Sequence, residues 1–182
     1  MPPLDQDHPV PDDEALRLAA LRAYDILDSD FEPIFDKVAQ IAAAIFGAPV
    51  SLVSLVDDDR QWFKAAVGTD LRQTPRAQSF CSRAILARDV LDVPDAEADP
   101  RFSANPLVTG KPHIRSYAGA PLMSPEGYPL GTVCVIGDRA RPPLPDDRRA
   151  LLKQFAELVV LLMEERRRLR TVSERVEHGA FS

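Results

Sequence analysis

Two cysteines, Cys81 and Cys134, are the thiols of this 182-residue chain, and their surroundings bear on whether they react. Cys81 lies in the first turn of the segment Phe80 to Ala87, which reads as a short helix capped by Ser79, where backbone N–H groups would lower a thiol pKa. The competing reading is a small buried hydrophobe, free cysteine being among the most buried residue types. Cys134 falls in the middle of an apolar run and reads as core; if Cys81 lies over the sheet near it, redox pairing of the two becomes available. Two thiols so far apart form neither a zinc pattern nor a disulfide framework.

A polar set, Asp95, Asp99, Arg101, Asn105 and Arg115, brackets an irregular stretch from Asp95 to Pro112. Its arginines could read a carboxylate or phosphate through paired hydrogen bonds. Alternatively Asp95, Asp99 and Asn105 tie the loop's own backbone and Arg101 pairs with them. Trp62, Phe63, Phe80, Phe102 and Tyr117 could wall an apolar pocket, or be ordinary core. His8, His113 and His178 share no metal-ligand spacing, so no metal is expected. Asp57-Asp58-Asp59 is a turn without a calcium-loop pattern, and Gly127 to Gly131 lacks the Lys-Ser/Thr of a phosphate loop. With no serine-nucleophile motif and no carboxylate pair, the sequence predicts no enzyme.

Composition narrows the partners. A net charge of −6 argues against nucleic acid and against an anionic membrane surface. The most apolar window, Ile41 to Val56, is too short to span a bilayer, and no basic-then-apolar leader opens the chain. A cytoplasmic location is expected.

The elements that must hold these residues follow from periodicity and punctuation. An acidic, Pro-containing arm covers residues 1–12, a domain covers 13–165, and 166–182 extends the last helix. Helices are predicted over Glu14 to Leu27 and Pro33 to Phe46, the second with Phe35, Val38, Ile41, Ala42 and Ile45 on one face and Gly47 as its stop. Val50 to Val56 and Arg60 to Val67 form a hairpin, Gly68 to Pro75 a loop, and Val90 to Val93 a brief strand. A second hairpin pairs Ile114 to Met123 with Tyr128 to Ile136 through the turn Ser124-Pro125-Glu126-Gly127. Ala118, Gly119, Ala120, Gly131 and Thr132 leave room above it for a helix or a ligand. In the second strand Leu130, Cys134 and Ile136 oppose Val133 and Val135. A long helix runs from Asp146 to about Val176 with Leu152, Phe155, Val159, Leu162, Leu169 and Val176 at 3-4 spacing. Its later, polar part points to a two-stranded coiled coil or a bundle. Hairpins dominate, so the class is α+β with a largely antiparallel sheet.

Five stretches then resemble one family: RLAALRAYDILDSD (17–30), FDKVAQIAAAIFGAPVSLVSLVDDDRQWFKAAVG (35–68), TPRAQSFCSRAI (74–85), VPDAEADPRFSANPLVTG (93–110) and IRSYAGAPLMSPEGYPLGTVCVIGDRARP (114–142). In that order they resemble a bacterial GAF domain of the subgroup found ahead of histidine-kinase or diguanylate-cyclase modules. The resemblance implies a six-stranded antiparallel sheet with the terminal helices on one face and a small-molecule pocket on the other. Candidate pocket residues are Trp62, Phe80, Cys81, Asp95, Arg101, Phe102, Asn105, Arg115, Tyr117, Gly119, Thr132 and Cys134. It also implies a parallel homodimer through the terminal helices, with Leu18, Leu21, Leu162 and Leu169 as contacts. No Asn-Lys…Phe…Asp-Glu cyclic-nucleotide signature occurs, and Ser82 rather than His follows Cys81, so no covalent bilin is expected. The chain shows no kinase or cyclase module, so output would lie with a trans-acting partner, as in two-component systems, or within a larger ancestral architecture. The expected function is a small-molecule sensor in signal transduction, of unknown ligand. The rivals are a free methionine sulfoxide reductase-like enzyme using Cys81, and a ligand-free dimerisation module.

Overall fold

A computed structural model describes residues 10–179, with side chains through 173. Residues 1–9 of the arm, His8, and the side chains of Val176 and His178 lie outside the described residues. The helices are α1 (Glu14–Arg22), α2 (Pro33–Phe46), α3 (Phe80–Ala84), α4 (Pro106–Thr109) and α5 (Asp146–Gly179). The strands are β1 (Val50–Val56), β2 (Arg60–Val67), β3 (Gln73–Pro75), β4 (Leu91–Val93), β5 (Ser116–Met123) and β6 (Pro129–Gly137). All six form one antiparallel sheet in the order β3-β2-β1-β6-β5-β4, so the predicted α+β class holds.

The β5–β6 hairpin sits inside the sheet, as its apolar residues on both alternation sets require. Gly127 closes its turn at φ 89°, donating to the Ser124 carbonyl at 2.9 Å, while the Ser124 N–H donates to the Tyr128 carbonyl at 2.9 Å. Each face of the sheet carries its own core. On one, α1, α2 and α5 bury Leu21, Phe35, Val38, Leu152, Phe155 and Val159 against Val53, Leu55, Ala118, Ala120 and Val133. On the other, α3, α4 and the 95–112 segment bury Phe80, Phe102 and Val108 against Leu52, Phe63, Tyr117 and Cys134.

Several boundaries and side-chain facings differ from expectation. The first helix stops at Arg22 rather than Leu27, and the chain then turns at Asp25, whose positive φ is one that short polar side chains tolerate. Helix α3 ends at Ala84. Strand β3, unforeseen, is three residues long and ends in proline. Helix α2 buries Phe35, Val38, Ala39 and Ala42, while Ile41 and Ile45 face solvent; the small alanines let its axis approach the sheet. Leu130 joins Val133 and Val135 on the helix-covered face instead of Cys134 and Ile136, since the β5–β6 register shifts between Pro121 and Met123.

The terminal helices correct the dimer assignment in part. Leu18 and Leu21 lie in the monomer's own core, Leu21 fully, and no partner can reach them without detaching α1. Leu162 is half-buried at the core's edge, whereas Leu169 is exposed. The polar stretch of α5 is also less free than its composition implied. Arg166 donates to Glu32 at 2.6 Å and to the Asp25 carbonyl at 3.0 Å; Tyr24 bonds Glu164, and Arg170 pairs with Asp25. Among the described residues, no helix is long and apolar enough to cross a membrane.

Candidate functional site

Between the sheet and α3–α4 lies a cavity of about 70 Å³. Its floor is Val50 and Leu52 of β1, Gln61 and Phe63 of β2, and Ile136 of β6; Leu71, Leu107, Pro112 and Ile114 close its sides. Phe80, Cys81 and Tyr117 border it from the α3–β5 side. The wall is almost wholly apolar. Its polar groups at one edge are already satisfied, Gln61 donating to Thr74 at 2.5 Å and accepting from Ser79 at 2.7 Å.

Of the twelve candidates, then, three border the cavity. The others have identifiable places. Trp62 lies in the helix-covered core, on the opposite face of the sheet. Phe102 stacks flat on Phe80 at 4.1 Å, and Phe80 tilts against Tyr117 at 5.2 Å, so this end of the face is filled by rings. The space above Gly119, read as open, is occupied by the Tyr117 phenol, which a Cβ there would strike. The polar set ties the loop to itself. Asp95 accepts from the Glu97 N–H at 3.1 Å, and Asp99 accepts from Arg101 at 2.9 and 2.5 Å, which holds its carboxyl below the usual range. Asn105 caps α4 through the Leu107 N–H and donates to the Gln78 carbonyl at 3.0 Å; Arg115 donates to the Val108 carbonyl at 3.0 Å.

Cys81 and Cys134 do meet. Ser79 caps α3 as predicted, accepting from the Ser82 N–H at 3.0 Å, and sets Cys81 over β6, 3.9 Å from Cys134 sulfur to sulfur. Thr132 Oγ1 lies 3.2 Å and the Tyr117 hydroxyl 3.4 Å from the same Cys81 Sγ. The hydrogen bond from Cys134 draws the Cys81 thiol below the ordinary range; burial opposes this, and Thr132 and Tyr117 reinforce it. Cys134 is held well above the ordinary range, first by its bond to Cys81 and then by burial.

The aliphatic lining was missed because Val50, Leu52, Leu107, Ile114 and Ile136 differ in no way from core residues in sequence. Only the period-two alternation of Val50 and Leu52 marked a shared face.

Comparison with known proteins adds the following. The family model described as GAF domain matches residues 30–162. The cyclic di-GMP phosphodiesterase PA2567 of Pseudomonas aeruginosa is 45% identical over 152 residues, which is 84% of this chain; the chain spans about a quarter (26%) of that relative's length. Among solved structures, a free methionine-R-sulfoxide reductase from Neisseria meningitidis superposes with TM-score 0.63 at 20% identity, over 88% of this chain and 96% of that one. The GAF domain of an Acinetobacter phosphoenolpyruvate-protein phosphotransferase gives 0.62 at 14%, over 86% and 95%. At such identities the two structures speak to the fold alone. The expectation that the chain is no enzyme is corrected by the phosphodiesterase: a relative this similar carries an enzyme's name, so the reading that set enzymatic activity aside is withdrawn.

Proposed function

Since this chain belongs to the GAF domain family, we propose that it is the small-molecule-sensing part of a signalling enzyme, and that the activity it regulates is phosphodiesterase activity on cyclic di-GMP. The relative's name supplies the enzyme class. The observation that carries the sensing role is the apolar cavity over the sheet, which fits a small molecule of largely hydrocarbon surface.

A route from cavity to α5 supports transmission. The β1–β2 register shifts between Val53 and Ser54, leaving Lys64 as the extra residue beside Phe63. Phe63 lines the cavity, and Lys64, buried, donates to Glu32 at 2.7 Å, to Ser29 at 2.8 Å and to the Asp30 carbonyl at 2.6 Å. Glu32 also accepts from Arg166 of α5. A ligand that displaced Phe63 would therefore strain the hold on α5, the helix leading out of the domain.

The test is native mass spectrometry and thermal unfolding of the chain with a panel of small apolar compounds. A bound compound at a hundredfold excess over its Kd stabilises by about 2.7 kcal/mol, roughly 5–11 °C in a domain of this size. Leu52→Trp, which fills the cavity from β1, should abolish both the added mass and the shift. A native chain that takes up nothing, or a Leu52→Trp chain that binds equally well, overturns the reading.

The domain is further proposed to act as a homodimer through α5. Leu158, Leu161, Leu169 and Val172 are all exposed and fall on one stripe of the helix, the apolar seam a coiled coil needs. Leu161→Glu with Leu169→Glu should convert a dimer to a monomer by light scattering. A dimer that survives both changes, or a native chain already monomeric at tens of micromolar, removes this part.

A further inference from the structure

We propose that Cys81 and Cys134 are a peroxide-reactive dithiol, in which Cys81 attacks a small organic hydroperoxide entering the apolar cavity and Cys134 resolves the product as an intramolecular disulfide. Three features of the geometry carry this. Cys81 borders the cavity and Cys134 does not, so a molecule in the cavity lies against the residue of one thiol and not against that of the other. The sulfurs are 3.9 Å apart, and a disulfide needs them about 2 Å closer. Cys81 sits on a five-residue helix between a 3-10 turn and a loop, a short element able to make that movement.

In addition, the hydroxyls of Thr132 and Tyr117 both aim at Cys81 Sγ. With Cys134 as a further donor, an ionised Cys81 is hydrogen-bonded three times beside a cavity lined mostly by hydrocarbon. Burial, together with the neighbouring sulfurs, keeps the Tyr117 phenol protonated well above its ordinary range, so it remains a donor whenever Cys81 is ionised. No cation borders the cavity among the described residues, and its wall favours a neutral, apolar oxidant over a charged one.

The hydroperoxide is the two-electron oxidant of the pair. The Cys81 thiolate attacks the terminal oxygen of ROOH; the O–O bond breaks, a proton is taken up, and ROH leaves. Cys81 is then a sulfenic acid, oxidised by the two electrons the peroxide has gained. The Cys134 sulfur attacks the sulfenic sulfur, the S–O bond breaks, and the hydroxyl leaves as water with the Cys134 proton. The resulting disulfide ties α3 to the middle of β6. A dithiol reductant returns both thiols by exchange.

The experiment treats the chain with cumene hydroperoxide and follows titratable thiols and intact mass. Both thiols should disappear together, the mass should fall by two hydrogens with no cross-linked dimer, and dithiothreitol should restore it. Cys134→Ser should stop at a Cys81 sulfenic acid that dimedone captures, and Cys81→Ser should leave Cys134 reduced. Thr132→Val, nearly isosteric, should slow oxidation about tenfold by removing one donor to the thiolate, and hydrogen peroxide should react more slowly than the organic peroxide. Thiols that stay reduced while free N-acetylcysteine is consumed, Cys134 oxidation undiminished in Cys81→Ser, or a disulfide formed only between chains would each overturn the proposal. The proposal uses the cavity but not the regulatory role. A chain that binds an apolar compound while its thiols ignore peroxide loses only this inference, and one that oxidises but binds nothing loses only the sensing role.

Discussion

A Glu14→Gln chain is expected to be about 3–5 kcal/mol less stable than the native one, a loss of roughly 6–20 °C in Tm for a domain of this size. The carboxylate of Glu14 accepts from Arg17 at 2.8 and 2.6 Å and from Arg76 at 2.6 Å. Both guanidiniums are essentially removed from solvent, at 0% and 1% exposure. Arg17 also donates to the Val56 carbonyl at 2.7 Å, and Arg76 to the Asp57 and Asp58 carbonyls at 2.9 and 3.2 Å. Nε and Nη2 of Arg76 have no protein partner among the described residues, so its charge rests heavily on the single carboxylate. Glutamine keeps the shape and removes the charge, leaving two buried cations uncompensated. The three residues join α1, the end of β1 and the turn before α3, so the loss should appear as a lower urea midpoint for the whole domain.

The same cluster sets a pH dependence with a definite sign. Burial alone would raise the Glu14 pKa, but the bonds from Arg17 and Arg76 outweigh it and bring the group from 4.5 to about 2. Its folded pKa is therefore depressed. The stabilisation is complete above pH 4.5 and is lost as the pH falls toward 2, amounting to about 2 kcal/mol once the carboxylate's remaining solvent contact is discounted. Urea midpoints taken at intervals between pH 6 and 3 should fall more steeply for the native chain than for Glu14→Gln. Parallel curves would mean that Glu14 does not carry the effect.

Gly131→Ala should be comparably damaging, for a steric reason. Gly131 pairs with Leu55 where β6 meets β1, the two central strands of the sheet. A Cβ at 131 would land on the Ser54 carbonyl oxygen and against the Leu55 Cα, and backbone in the middle of a sheet has no rotamer by which to yield. The expected cost is about 3 kcal/mol or more, or roughly 6–12 °C. Gly127→Ala in the hairpin turn is the useful contrast. Its φ of 89° disfavours alanine, but nothing stands near the added methyl, so the penalty should be that of the backbone alone. Circular dichroism melts of the two variants separate the explanations: equal losses would show that turn strain, not the β1–β6 contact, dominates.

Much of the architecture was legible because it is locally encoded. The span Val50 to Val56 and its hairpin partner, the αL stop at Gly47, the Ser79 cap and the Ser124 to Gly127 turn each depend on residues within a few positions of one another. Hydrophobic alternation on both sets also placed the second hairpin inside the sheet. What failed were assignments needing a direction in space. Trp62 and Phe63 are adjacent and equally aromatic, yet one faces α2 and α5 and the other faces the cavity. Which side each takes depends on the distant elements that cover the two faces, and further along the strands a bulge at Lys64 and a register shift near Leu122 change the alternation without any local propensity announcing them.

The candidate site divides in the same way. Local chemistry already gave the loop-tying role of Asp95, Asp99 and Asn105 as one of two readings, and that is where their hydrogen bonds go. By itself the sequence determined the order of the elements other than β3 and α4, the α+β class and the family resemblance, because spacing, capping and turn residues act over short stretches of chain. Only the tertiary structure decided that Leu21 belongs to the core rather than to a partner, that Tyr117 fills the space above Gly119, and that the two thiols meet. Those outcomes depend on which side chains arrive from distant elements to claim the same volume, and no pairwise spacing along the chain specifies that.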